Sequence, residues 1–182
     1  MASGLGKRFG SNKLMVDFNG KPMISRILSA TDGALFAARI VVTRSREVEA
    51  FCRERKIPVL LHAMPYRNHT VHLGLSALLK EYPELAGCMF ALGDQPLLTK
   101  ETLEAMVITF SQYYQTASPI FRLAAIAEDD SIIPGNPILF GNRYFEELLT
   151  LPDNQGGNVL LKNVISDHIK PVIAKLRECG AE

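Results

Sequence analysis

Gly87-Cys-Met-Phe-Ala-Leu-Gly-Asp-Gln-Pro96 decides the fold class. Its first seven residues carry no charge on either face, and the run stops on an acid and a proline. A strand that is apolar on both faces belongs in a sheet covered on both sides, typically a parallel one. Arg39-Ile-Val-Val-Thr43 and Ile57-Pro-Val-Leu-Leu61 are two further runs of the same kind. Between them, apolar spacing predicts helices near 21–33, 45–55, 70–82 and 99–115. The last has Thr99 as its N-cap, with Leu103, Met106, Val107 and Phe110 along one face. Strands alternating with helices imply an α/β chain: a three-layer, Rossmann-like sandwich with a mainly parallel sheet. Two more strands are expected at 119–124 and 137–140, around the acidic Glu128-Asp-Asp130, with one antiparallel strand coming from this region. Helices near 142–150 and 156–165 and a short strand near 168–173 complete the expectation.

The chain has 182 residues, 47% hydrophobic and 21% charged, with a net charge of +1. That suits one domain over 1–182 with an ordinary soluble core. The balanced charge argues against a nucleic-acid partner held by bulk charge. No apolar run approaches the roughly 18 residues of a membrane span, so no membrane partner is expected. Cys52, Cys88 and Cys179 are odd in number and fall in no metal or redox spacing, which suits a reduced, cytoplasmic protein.

Ala2-Ser-Gly-Leu-Gly-Lys-Arg-Phe-Gly-Ser-Asn-Lys13 is the stretch richest in chemistry. Gly4, Gly6 and Gly10 allow backbone N–H groups to curl around an anion, and Lys7, Arg8 and Lys13 supply cations. Residues 1–26 carry a local charge of +4 in a chain of net +1. Such a patch suits a triphosphate, although a flexible, solvated loop has the same composition. It is neither a P-loop, since no glycine precedes Lys-Ser or Lys-Thr, nor a dinucleotide fingerprint, since Phe9 stands at the third glycine position. The loop reads as one that follows a strand, yet only Met1 precedes it, so the first strand is expected to be truncated.

The pattern Ala-Ser-Gly-x-Gly-x-Arg-x-Gly-x-x-Lys resembles the opening of the MobA-like nucleotidyltransferases. Within them it looks most like the molybdenum cofactor cytidylyltransferases, accessory proteins of molybdenum hydroxylases. Gly20-Lys-Pro-Met-Ile24, Gly93-Asp-Gln-Pro96, Gly135-Asn-Pro-Ile-Leu-Phe140 and the segment 149–161 extend the resemblance in order along the chain.

The resemblance implies transfer of a nucleotidyl group to a phosphorylated acceptor, with release of pyrophosphate and Mg²⁺ as cofactor. The backbone of Ala2, Ser3, Gly4, Leu5 and Gly6 would cradle the triphosphate, Arg8 would meet the β- and γ-phosphates, and Lys13 the α-phosphate. Asp94 would hold Mg²⁺ with Asn136 as second ligand, Asp153 being a weaker contender. Thr70 and Gly74 would lie beside the nucleotide. Gln95, Asn154, Gly156 and Gly157 would receive the acceptor, molybdopterin or the molybdenum cofactor, and a transient contact with a molybdenum hydroxylase would follow. Ser3 favours CTP over GTP, because a side chain there narrows the base pocket. Where relatives carry a Gly-Met-Ser segment, this chain has His69 and His72. Their i, i+3 spacing suggests a solvated helix face or a substrate contact more than a metal pair. The alternatives are a transferase for another phosphorylated acceptor, such as a sugar phosphate or methylerythritol phosphate, and a degenerate module that binds a cofactor without chemistry.

Overall fold

The computed structural model describes residues 1–2, 12–33, 35–117, 120–153 and 155–161. Residues 3–11 and 154, and the strand expected near 168–173, lie outside them. β1 (Val41–Thr43) runs parallel to β2 (Val59–Leu61), with Val41 opposite Val59 and Thr43 opposite Leu61. β3 (Gly87–Phe90) is antiparallel to β5 (Ile132–Gly141), and β5 is antiparallel to β4 (Ile120–Ile126).

Met1 and Ala2 join the two ladders. The Ala2 N–H donates to the Val42 carbonyl at 2.9 Å, and Ala2 bridges Thr43 in the parallel sense. On the other side the Met1 amino group donates to the Ala91 carbonyl at 2.6 Å, and the Met1 carbonyl accepts from the Gly93 N–H at 2.9 Å. Two bonds that bracket one residue in this way are the pattern of a parallel pair. The strand order is therefore β2, β1, Met1-Ala2, β3, β5, β4, and among the described residues β5 alone runs against the rest. The mainly parallel sheet with one reversed strand is present.

Side chains alternate between the two faces of this sheet. Val41, Met89 and Ala91 enter one core cluster with α1 (Ile24–Ala30), α2 (Arg46–Glu54) and Leu103 of α4 (Lys100–Ala117). Cys88, Phe90, Ile138 and Phe140 enter the other, with α3 (Arg67–Glu81), α5 (Phe145–Leu149) and Leu160 of α6 (Asn158–Leu161). These are the three layers. Leu103 is fully buried, so Leu103→Ala is expected to cost about 2–5 kcal/mol. A urea titration reading the shift in midpoint checks this.

Local signals explain most element ends. Ser45 caps α2 by accepting from the Val48 N–H, and Glu49 pairs with Arg53 one turn on. Thr99 accepts from the Thr102 N–H and starts α4 as its sequence predicts. Three expectations need correction. α3 begins at Arg67, not near residue 70, and no side chain caps it. β2 is half-buried to exposed rather than buried on both faces, because among the described residues it is an edge strand. β5 is ten residues long: 137–141 are buried, while 132–134 are exposed and pair with β4 as an outlying hairpin.

Burial holds the pKa of His62 and of His72 below the ordinary imidazole value of 6.5. Below that pH the unfolded chain binds more protons than the folded one, so the stability present above it is lost as pH falls. Urea titrations on either side of that pH check the direction.

Candidate active site

In an open α/β sheet, ligands meet the carboxyl ends of the strands, where helix starts and loops converge. Here that edge holds Ala2, the Thr43–Ser45 corner after β1, the Gly93–Pro96 turn after β3, and the start of α3. Asp94 stands on the turn after β3, and Lys13 on a single 3₁₀ turn spanning Lys13–Met15. Asn12 positions that turn. Its Oδ1 accepts from the Leu14 N–H, and its Nδ2 donates to Ser45 Oγ at 2.7 Å and Glu47 Oε2 at 3.0 Å. Leu14, 6% exposed, anchors it from beneath against Gly93, where an added Cβ would come within 3.2 Å of Leu14 Cδ2.

These supports bring Lys13 Nζ to 3.2 Å from Asp94 Oδ2, across 81 residues of sequence. Both side chains are about 40% exposed (39% and 42%). An ion pair that open is worth about 0–1 kcal/mol, so parting it to receive other charges costs little. Gln95 supports the same turn: its Nε2 donates to the Asn136 carbonyl at 2.8 Å, tying Asp94's neighbour to β5. Its Oε1 is buried without a hydrogen-bond partner among the described residues. Lys13, Asp94, Gln95 and Asn136 thus come from three separate segments to one place.

The remaining expected residues fall as follows. Ala2 has no N–H to offer a phosphate, because β1 engages it, and its carbonyl accepts from Thr43 Oγ1 at 3.0 Å. A cradle made by the opening loop must therefore begin after Ala2; Ser3, Gly4, Leu5, Gly6 and Arg8 lie outside the described residues. Thr70 is buried in the first turn of α3, its hydroxyl 3.3 Å from His62 Nε2. Gly74 is a close-approach glycine, since a Cβ there would sit 3.1 Å from Val42 Cγ2. Gly157 likewise lies flat on the Phe140 ring, while Gly156 faces open space. Asn154 lies outside the described residues.

His69 and His72 do not form a solvated face. His69 Nε2 is 3.5 Å from Asp153 Oδ1, the two histidine rings meet edge to face at 6.4 Å, and both are partly buried where α3 packs on α5. Among the described residues no three His, Cys, Asp or Glu side chains are grouped to hold a metal. Asn68 is the residue that sequence reading missed. It is 2% exposed, and its Nδ2 donates to the Leu151 carbonyl at 3.1 Å and Asp153 Oδ1 at 3.2 Å. Asp153 is engaged in this cluster, joining the start of α3 to the 151–153 loop. A lone Asn in the first turn of a helix carried no signal for that role.

Known proteins resemble this chain in sequence and in fold. A 3-deoxy-manno-octulosonate cytidylyltransferase of Polynucleobacter asymbioticus is 29% identical over 136 residues, 72% of this chain and 53% of that protein. A probable molybdenum cofactor guanylyltransferase of Aquifex aeolicus is 30% identical over 112 residues, 62% and 52% of the two chains. The chain thus spans about half the length of these curated relatives. Among solved structures, Rv0371c of Mycobacterium tuberculosis superposes with a TM-score of 0.71 at 22% identity, covering 90% of this chain and 80% of that one. Its manganese complex gives a TM-score of 0.60 at 20% identity, over 91% and 79%. At such identities the likeness is one of fold, of the nucleotide-sugar transferase type. The MobA-like NTP transferase domain matches residues 1–172, and with nearly the whole sequence covered the chain belongs to that family.

Proposed function

We propose that the protein transfers a nucleotidyl group from a nucleoside triphosphate, CTP in preference to GTP, to a phosphorylated small-molecule acceptor of the molybdopterin class, releasing pyrophosphate. The observation that carries the reading is the Lys13–Asp94 pair, 3.2 Å apart at the carboxyl edge of the sheet. One cation and one anion held together but solvent-accessible suit a metal-bound triphosphate, whose phosphate and metal give each a new partner. A reduced, cytoplasmic setting and a passing contact with a molybdenum hydroxylase belong to the same proposal.

The donors fit magnesium. Asp94 and the Asn136 side chain offer oxygen only, and Mg²⁺ is commonly held by one or two carboxylates with substrate phosphates in place of an all-protein cage. The structural neighbour Rv0371c is known in complex with manganese, which supports a divalent cation. When bound, the ion supplies charge neutralisation on the phosphate oxygens.

The chain's own residues supply position and further charge. Lys13 Nζ donates to an α-phosphate oxygen, where negative charge grows as the acceptor oxygen attacks the α-phosphorus in line. The bond from that phosphorus to the β-phosphate's bridging oxygen breaks, releasing pyrophosphate. Arg8 holds the departing β- and γ-phosphates. Gln95 keeps Asn136 beside the Asp94 turn through its bond to the Asn136 carbonyl. Gly156, which is open to solvent, would receive the acceptor together with Gly157 and Asn154.

A sugar acid is the competing acceptor, favoured by the Polynucleobacter relative, whose alignment covers 72% of this chain. Thermal shift with CTP, GTP, ATP and UTP, each with and without Mg²⁺, tests the nucleotide. Pyrophosphate release from CTP with molybdopterin or with 3-deoxy-manno-octulosonate then decides the acceptor. Mg²⁺-dependent stabilisation by CTP above the others is expected. Nucleotide binding without release from any acceptor would mark a binding module.

A further inference from the structure

Lys13 stands on a single 3₁₀ turn, Lys13–Met15, and one isolated turn does not hold its own shape in water. Its placement must come from outside. Leu14 packs beneath it, but apolar packing is non-directional. The directional support is Asn12, whose side-chain amide is fully used. Its Oδ1 accepts from the Leu14 N–H, and both hydrogens of Nδ2 are donated, one to Ser45 Oγ and one to Glu47 Oε2.

Those acceptors are fixed in their turn. Ser45 Oγ caps α2 through the Val48 N–H, and the Ser45 N–H donates to Thr43 Oγ1 at 3.1 Å. Thr43 is fully buried at the end of β1, with its hydroxyl donating to the Ala2 carbonyl. Glu47 lies in the first turn of α2, where the helix dipole favours a carboxylate. A continuous run of hydrogen bonds therefore leads from the sheet, through the corner between β1 and α2, to the residue before Lys13. Lysine has a long, flexible stem, so the reach of Nζ depends on where the backbone beneath it is held.

We propose that Asn12 is a positioning residue for the transfer step. Clamped by Ser45 and Glu47, it holds the Lys13 backbone where Nζ can pass from Asp94 to the α-phosphate. The inference rests on the transferase reading of the Lys13–Asp94 pair.

The test measures single-turnover rate, nucleotide Kd by calorimetry and Tm on the full chain, with Mg²⁺, CTP and the acceptor that the wild type uses. Asn12→Ala is expected to slow the rate about 10-fold, with Kd within about 3-fold, because a misplaced group costs the transition state most. Its Tm should stay within a few degrees of wild type. In a Lys13→Ala background the same substitution should add nothing, since both act through one ammonium group. Asn12→Asp keeps the acceptor for Leu14 but loses both donors and faces the Glu47 carboxylate, so it should be at least as slow. Adding Glu47→Gln reverses the polarity of the contact: the amide now at 47 and the Ser45 hydroxyl both donate to the carboxylate. That pair should return the rate to within about 3-fold of wild type. Equal losses in rate and affinity, additivity with Lys13→Ala, a collapsed melt, or no recovery in the reversed pair would each overturn the role. An undiminished rate in Asn12→Ala, beside an active wild type, would remove Asn12 alone. A wild type that turned over no acceptor would remove the transferase reading, and the positioning role with it.

Discussion

Asp94→Asn is expected to reduce turnover by about 10³-fold or more while leaving the fold intact. The substitution keeps the shape of the side chain and one oxygen donor but removes the charge that would hold the metal. Losing that charge takes several kcal/mol from the stabilisation of the developing phosphate charge, and each 1.36 kcal/mol is tenfold in rate. Its structural cost is small. Among the described residues Asp94 pairs with Lys13, and both are about 40% exposed. An open pair of that kind contributes at most about 1 kcal/mol. The variant's Tm should therefore lie within a few degrees of wild type. Single-turnover rates and a thermal melt on the same preparation check both halves. A rate within a few-fold of wild type would remove Asp94 from the metal site, and a collapsed melt would make it structural.

Lys13→Ala separates chemistry from tethering. An α-phosphate contact strengthens as charge accumulates in the transition state, so its loss should fall on the rate more than on binding. A decrease in kcat of about 10²-fold or more is expected, the scale of one well-placed electrostatic partner. The nucleotide Kd should move far less, because on the proposed reading the rest of the opening loop and Asp94 would still hold the phosphates. Isothermal titration beside single-turnover kinetics distinguishes the cases. Equal losses in rate and affinity would make Lys13 a general triphosphate ligand, and no change in either would make it a surface lysine that merely pairs with Asp94.

The sequence by itself determined the layers. The runs at 39–43 and 87–93 are apolar on both faces because helices cover both faces of the sheet, and that demand is written into consecutive residues. Thr99, Leu103 and Phe110 announced α4 for the same reason: a cap and a 3.6-residue stripe are local quantities. The acid at a strand end and the cationic, glycine-rich opening were equally local, so Asp94 and Lys13 were legible one at a time.

Their meeting was not. Lys13 and Asp94 are 81 residues apart, and they touch because the sheet order sets Met1-Ala2 beside β3. Strand order is a non-local pairing that no window of sequence encodes. The Asn68–Asp153 bond, 85 residues long, has the same origin in the packing of α3 on α5. Gly74 is expected from its motif beside the nucleotide, and only the tertiary structure adds that a Cβ there would meet Val42, a residue of another element. Ala2 shows the limit most plainly. A motif assigns its N–H to a phosphate, but a buried N–H takes the nearest available acceptor, and the tertiary structure placed Val42's carbonyl 2.9 Å away.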